Sequence, residues 1–142
     1  MTKLWAIFLL ALSASVHAPA APKLPSLKEF NCLVKNIYYE ARGESLAGKV
    51  AVGIVTMNRV RHIDYPDTIC KVVYQSKQFS WTNVPMKKHK INTEEWQQSI
   101  NAATAAFNST KVFSATHYHN LTVRPAWGLR RIAQIGKHIF YV

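Results

Sequence analysis

Glu40 and Glu44 stand four residues apart in the stretch NIYYEARGE, Asn36 to Glu44. They are the acids of this chain best placed for acid–base chemistry. Acids are scarce, with seven Asp and Glu against 18 Lys and Arg. At 100° per residue, Glu40 falls within about 20° of Leu33 around a helix. That puts it at the margin of an apolar stripe made by Phe30, Leu33, Val34, Ile37, Tyr38 and Ala41. Desolvation there disfavours a carboxylate and raises its pKa. A carboxyl kept protonated near neutral pH is what a general acid requires. The same spacing also suits a plain glutamate on a helix margin, and spacing alone does not separate the two. Glu44 follows Gly43 and suits a cap on the next helix, where negative charge meets the helix dipole. Its sharper reading is a second active-site carboxylate.

The other acids have structural readings. Asp64 and Asp67 flank a Pro66 turn, Glu94 and Glu95 suit a first helical turn, and Glu29 sits near a helix start. Ordinary glycoside hydrolysis uses two carboxyls, about 5–5.5 Å or 6.5–9.5 Å apart. Here no second acid has an obvious claim. His117 and His119 share one strand face and could bind one metal, and Cys32 and Cys70 would complete four zinc ligands. No HExxH or CxxC pattern supports that arrangement, so neither a metal nor a cofactor is expected. Phe79 and Trp81, set among Gln78, Ser80 and Asn83, have the make-up of a ring-stacking surface with polar fingers, which suits pyranose rings.

The elements that must position these groups follow from periodicity. Ser26 caps a helix that Gly43 ends. A second, nearly all-apolar helix runs from about Ser45 to Arg61, with Asn58 expected to tie down a loop. Tyr65-Pro66-Asp67 reads as a turn and CKVVYQ as a short helix or strand. Asn92 and Glu95 fit a capping box on a third long helix that stops near Asn108. KVFSATHYHN alternates as a strand should, RPAWG reads as a loop and IGKHIFYV as the last strand. The expected fold class is α+β, helices first and a small sheet near the C-terminus.

The length of 142 residues suggests one domain. The first 20 residues carry Lys3, an apolar run and Ala18-Pro19-Ala20, the layout of a secretory signal peptide. Residues 21–28 read as a linker and 29–142 as the folded domain. Without the signal the chain is still strongly basic, from a net charge of +11 overall. For an exported chain that points to an extracellular or periplasmic polyanion rather than nucleic acid. The apolar run is too short for a membrane span. Cys32 and Cys70 in an exported protein read as a disulfide.

Six stretches, IYYEARGES, GKVAVGIVTMNRV, YPDTICKVVYQSKQFSW, ATHYHN, PAWG and IGKHIFYV, occur in this order and spacing between about Phe30 and Tyr141. In them the chain resembles the SleB-like cell wall hydrolases, the spore cortex-lytic enzymes and their bacterial and phage relatives. The resemblance implies a compact lysozyme-like α+β domain that cleaves peptidoglycan glycan strands, most simply as a lytic transglycosylase. It implies that Glu40 is the single catalytic glutamate, protonating the oxygen of the MurNAc–GlcNAc linkage before the sugar's 6-hydroxyl attacks to leave a 1,6-anhydro product. Such chemistry needs no second carboxylate. Glu44, Phe79, Ser80, Trp81 and Tyr118 are the expected substrate-binding residues, with peptidoglycan as the partner and a monomer as the working unit. A water-using muramidase or glucosaminidase, a non-catalytic wall-binding protein and a zinc hydrolase are the alternatives. The spore enzymes carry a peptidoglycan-binding module that this sequence does not show, so the basic surface is expected to supply wall affinity.

Overall fold

The structure, a computed structural model, describes residues 25–84, 90–109 and 113–142. The expected signal peptide, residues 1–20, and residues 86–89 of the basic loop lie outside the described residues. Helix α1, Leu27–Ala41, starts at Ser26, whose hydroxyl accepts the Glu29 N–H at 3.3 Å. The expected linker is therefore shorter than 21–28, because Leu27 and Lys28 are already helical. The helix ends through Arg42 and Gly43, and Gly43 takes φ +79°, a left-handed conformation that favours glycine.

Helix α2, Leu46–Arg61, is the centre of the molecule and packs against α1, α3 and α4. Its N-cap is Ser45, whose hydroxyl accepts the Gly48 N–H at 3.3 Å. Glu44 is thus not the cap. Helix α3, Ile69–Val73, resolves the open choice for CKVVYQ in favour of helix. A disulfide joins Cys32 of α1 to Cys70 of α3. Its closed loop of 38 residues stabilises the fold by roughly 3–4 kcal/mol in the chain-entropy picture. The bridge also removes both cysteines from any zinc site with His117 and His119. A 3-10 turn, Ser80–Asn83, follows. Helix α4, Thr93–Asn108, is capped by Asn92, whose side chain accepts the Glu95 N–H at 3.0 Å. The capping box is only half made: the Asn92 N–H goes to the Tyr38 hydroxyl at 3.0 Å, while Glu95 turns to Lys49.

Three short strands close the chain: β1, His117–Asn120; β2, Arg131–Ile135; and β3, His138–Tyr141. They form an antiparallel sheet in the order β1-β3-β2. Two sequence expectations change here. Among the described residues of KVFSATHYHN, Phe113 to Asn120, only the last four are strand; Lys111 and Val112 lie outside the described residues. IGKHIFYV does contain the last strand, β3, but it opens with the end of β2 and a hairpin turn in which Gly136 takes φ +56°. An alternation too short to read hid β2.

The core is built from Leu33, Val34, Ile37, Val52, Val55, Ala102, Ala103 and Phe140, among others. Gly53 lets the three long helices meet. A Cβ there would stand 2.7 Å from the Ala106 Cβ and 2.9 Å from the Ile37 Cδ1. Gly53→Ala should lower stability by about 1–3 kcal/mol through overpacking, despite alanine's better helix propensity. Denaturant unfolding of the two proteins checks this; an equal or higher midpoint for the variant counts against the tight crossing.

Candidate active site

Glu40 lies in the last turn of α1, half-buried, and Tyr118 of β1 donates its phenol O–H to Oε2 at 2.9 Å. The pair is 78 residues apart in sequence. Burial pushes the Glu40 carboxyl above the ordinary carboxylate range. The Tyr118 hydrogen bond and the charge of Arg59 pull the other way without cancelling it. Tyr118 is itself held well above the usual phenol range, by burial first and by the adjacent Glu40 second. It therefore remains a proton-bearing donor at working pH. The arrangement is a carboxyl whose burial favours the protonated form, with one oxygen fixed by Tyr118.

Two consecutive residues of α2 hold the segment that delivers Tyr118. Asn58 donates through Nδ2 to the Phe113 and Ala115 carbonyls at 2.6 and 2.9 Å. That is the loop tie expected of it. Arg59 donates through Nε to the Thr116 carbonyl at 2.7 Å and through Nη1 to Gln78 Oε1 at 3.2 Å. Its buried guanidinium lies over the Tyr65 and Phe79 rings at 5.3 and 5.5 Å and forms no ion pair with a described residue. Its charge acts on Glu40 and lowers that carboxyl's pKa. Sequence reasoning passed over it, because an arginine near a helix C-terminus suits the helix dipole and raises no flag.

The expected substrate-binding residues divide. Tyr118 touches Glu40 directly. Phe79 is only 3% exposed and packs under Arg59, so it is not an open stacking face. Trp81 is half-buried, stacks on Tyr39 at 4.7 Å, and donates its indole N–H to Asn36 Oδ1 at 3.1 Å. Asn36 is fully buried one turn before Glu40 and also donates to Thr56 Oγ1 at 3.1 Å. It ties the 3-10 turn to α1 beside the acid, a role its place among apolar residues could have signalled, since buried amides need partners. Ser80, in that turn, is exposed. Glu44 faces the β2–β3 turn, where Oε2 accepts the Lys137 N–H at 3.1 Å. Gly136 takes φ +56°, which favours glycine, and a Cβ there would push the Glu44 carboxylate off the turn. Lys49, fully buried, fixes the turn after α1 from below by donating to the Glu44 carbonyl at 2.6 Å and pairing with Glu95 at 3.1 Å.

His117 and His119 engage hydroxyls: His117 meets Tyr65 Oη at 3.4 Å and Thr116 Oγ1 at 3.0 Å, and His119 meets Tyr141 Oη at 2.8 Å. Two larger surface depressions, of about 600 Å³ against Met57, Val60 and Phe107 and about 560 Å³ beside the disulfide, include neither Glu40 nor Tyr118.

Comparison with known proteins now bears on this geometry. A family described as Cell Wall Hydrolase matches residues 43–141. The chain belongs to the cell wall hydrolase family. It is 30% identical over 123 residues to a spore cortex-lytic enzyme of Oceanobacillus iheyensis, across 84% of this chain and 43% of that protein. It is 27% identical over 118 residues to the spore cortex-lytic enzyme of Bacillus subtilis, across 81% of this chain and 38% of that one. The chain thus spans less than half the length of these curated relatives. Among solved structures, it resembles the catalytic domain of the germination-specific lytic transglycosylase SleB from Bacillus anthracis. The TM-score is 0.72 at 27% identity, over 86% of this chain and all of that one. The catalytic domain of the Bacillus cereus SleB protein gives 0.67 at 26% identity. The helices-then-sheet architecture is that of these domains. The family match begins three residues after Glu40, so the assignment of the acid rests on its geometry.

A raised pKa has a signed consequence for stability. Below about 4.5, the ordinary value, Glu40 is protonated in both folded and unfolded chains and its contribution is complete. As pH rises through the higher folded value, that contribution is lost. Glu40→Gln, which cannot ionise, should therefore gain thermal stability over the native chain as pH climbs from 4 to 8. Parallel unfolding curves across that range test this, and a gap that shrinks with rising pH contradicts a raised pKa.

Proposed function

We propose that this chain is an exported lytic transglycosylase that cleaves the β-1,4 MurNAc–GlcNAc bond of peptidoglycan, with Glu40 as general acid and then general base. The observation that carries the reading is the half-buried Glu40 carboxyl, raised in pKa and hydrogen-bonded by Tyr118. Its membership of the cell wall hydrolase family and its likeness to a lytic transglycosylase domain support the substrate class. The strongly basic composition suits an anionic wall, and the resemblance of residues 1–20 to a signal peptide suits delivery to it.

The reaction is assigned as follows. Glu40 gives its proton to the glycosidic oxygen as the C1–O bond breaks, and the GlcNAc leaves with a free 4-hydroxyl. Positive charge at C1 of MurNAc is then quenched by that sugar's own 6-hydroxyl, which forms the new C–O bond. The 6-hydroxyl proton passes to the Glu40 carboxylate, and the acid is restored. No water is consumed and no second carboxylate is needed. Glu44 makes a poor partner acid, because its carboxylate is spent on the hairpin turn. Tyr118 positions Glu40 and limits how far its pKa rises.

Two measurements test this. Glu40→Gln should reduce wall lysis by about 10²–10⁴-fold, the usual scale of general acid catalysis, while still sedimenting with the wall. Mass spectrometry of the products should show 1,6-anhydro ends; reducing ends alone would assign the enzyme to water-using glycosidases. Tyr118→Phe removes a hydrogen bond that lowers the Glu40 pKa. The alkaline limb of its pH–activity profile should therefore move to higher pH, with reduced maximal rate. A limb that stays in place or moves down contradicts the role given to Tyr118.

A further inference from the structure

Strand alternation splits the sheet into two chemical faces. Tyr118, His138 and Phe140 form the inner face, where Tyr118 meets Glu40. His117, His119 and Tyr141 lie on the other face, since His117 pairs with Tyr141 in register and successive side chains point oppositely. On that outer face His119 stacks on Tyr141 at 5.3 Å. Trp127, from the loop between β1 and β2, is held edge-on against both, with centroids 5.8 and 5.9 Å away, and lies 5.5 Å from the His117 ring.

Trp127 is ordered by three rings yet remains 44% exposed. Its neighbours in the loop, Leu121 and Val123, are 45% and 51% exposed. The segment from Leu121 to Arg131 contains Arg124, Arg130 and Arg131 and no acid. All three arginines are exposed, and none is ion-paired with a described residue. Arg131 pairs in register with Tyr141, one of the rings that hold Trp127, and its guanidinium donates only to the neutral Gln134 at 2.7 Å. A fixed, exposed indole on a loop whose arginines have no ion-pair partner among the described residues matches a ligand with apolar ring faces and carboxylates.

We propose that Trp127 and the β1–β2 loop form a second glycan-strand site, apart from Glu40. In it a pyranose ring stacks on Trp127, and Arg124, Arg130 and Arg131 pair with carboxylates of the strand and its attached peptides. The site rests on the proposed function for the identity of the strand, and it gives the domain its own hold on the wall.

The test uses the full chain carrying Glu40→Gln, so that the wall is bound but not digested, and purified peptidoglycan sacculi as the probe. Adding Trp127→Ala should weaken co-sedimentation about tenfold or more, the scale of an aromatic anchor, and Trp127→Phe should restore most of it. Replacing the three arginines by Gln should weaken binding at low salt and flatten its salt dependence. Sacculus binding unchanged by both the Trp127 and the arginine variants overturns the proposal. So does loss of single-stranded DNA binding in those variants while sacculus binding persists, which would make the face a nucleic-acid site. Circular dichroism melting of each variant confirms that it is folded, and the arginine set decides if Trp127→Ala is not. Lysis by the native chain against Glu40→Gln is scored separately. A failed second site with Glu40-dependent lysis therefore leaves the proposed function standing, and the reverse outcome removes the catalytic reading but not the site.

Discussion

The surrounding structure converges on one hydrogen bond between helix and sheet: the Tyr118 phenol to the Glu40 carboxyl at 2.9 Å. Burial at the helix end raises the carboxyl's pKa, and the strand's phenol fixes one of its oxygens. Much of the surrounding architecture holds these two groups together. Asn58 and Arg59, adjacent on α2, grip the carbonyls of residues 113, 115 and 116 and so aim the strand. Asn36, Trp81 and Tyr39 brace the other side of α1. Lys49 and Glu95 lock the turn just past the acid. A buried arginine without a carboxylate partner is costly in isolation. Here its charge is spread over two aromatic rings and two acceptors, and it offsets part of the desolvation of Glu40.

The balance on Glu40 also bears on chemistry that uses a single acid. A second carboxylate within reach would raise the pKa further by like-charge repulsion. A cation closer than Arg59 would lower it and cost the proton. Burial set against the Tyr118 hydrogen bond and the Arg59 charge leaves a raised pKa, which suits the proposed single-acid cycle.

Legibility in the sequence followed length and repetition. The three long helices were visible because α1 and α4 repeat an apolar stripe over several turns, α2 is apolar nearly all round, and each begins with Ser or Asn where the N-cap bond needs an oxygen. Glu40 was visible as an acid on the margin of such a stripe. The sheet was harder. Strands of four or five residues barely establish a period, so β2 was missed and a hairpin turn passed for strand. Phe79 shows a second limit: an aromatic in a polar segment can point either way, and here it went inward to meet Arg59. Asn36, Lys49 and Arg59 were unreadable as support because their partners Thr56, Glu95 and Thr116 lie 20 to 57 residues away. No local pattern encodes such a meeting.

The strand order β1-β3-β2 has a temporal meaning as well. The middle strand is the last of the three to be synthesised, and β1 and β2 have no direct pairing to each other. Tyr118 therefore has no sheet to sit in until His138–Tyr141 has emerged and inserted between its neighbours. A chain in which β3 has not yet docked can form its helices and even place Glu40. It lacks the Tyr118 hydrogen bond to that carboxyl, which forms only when the middle strand goes in last.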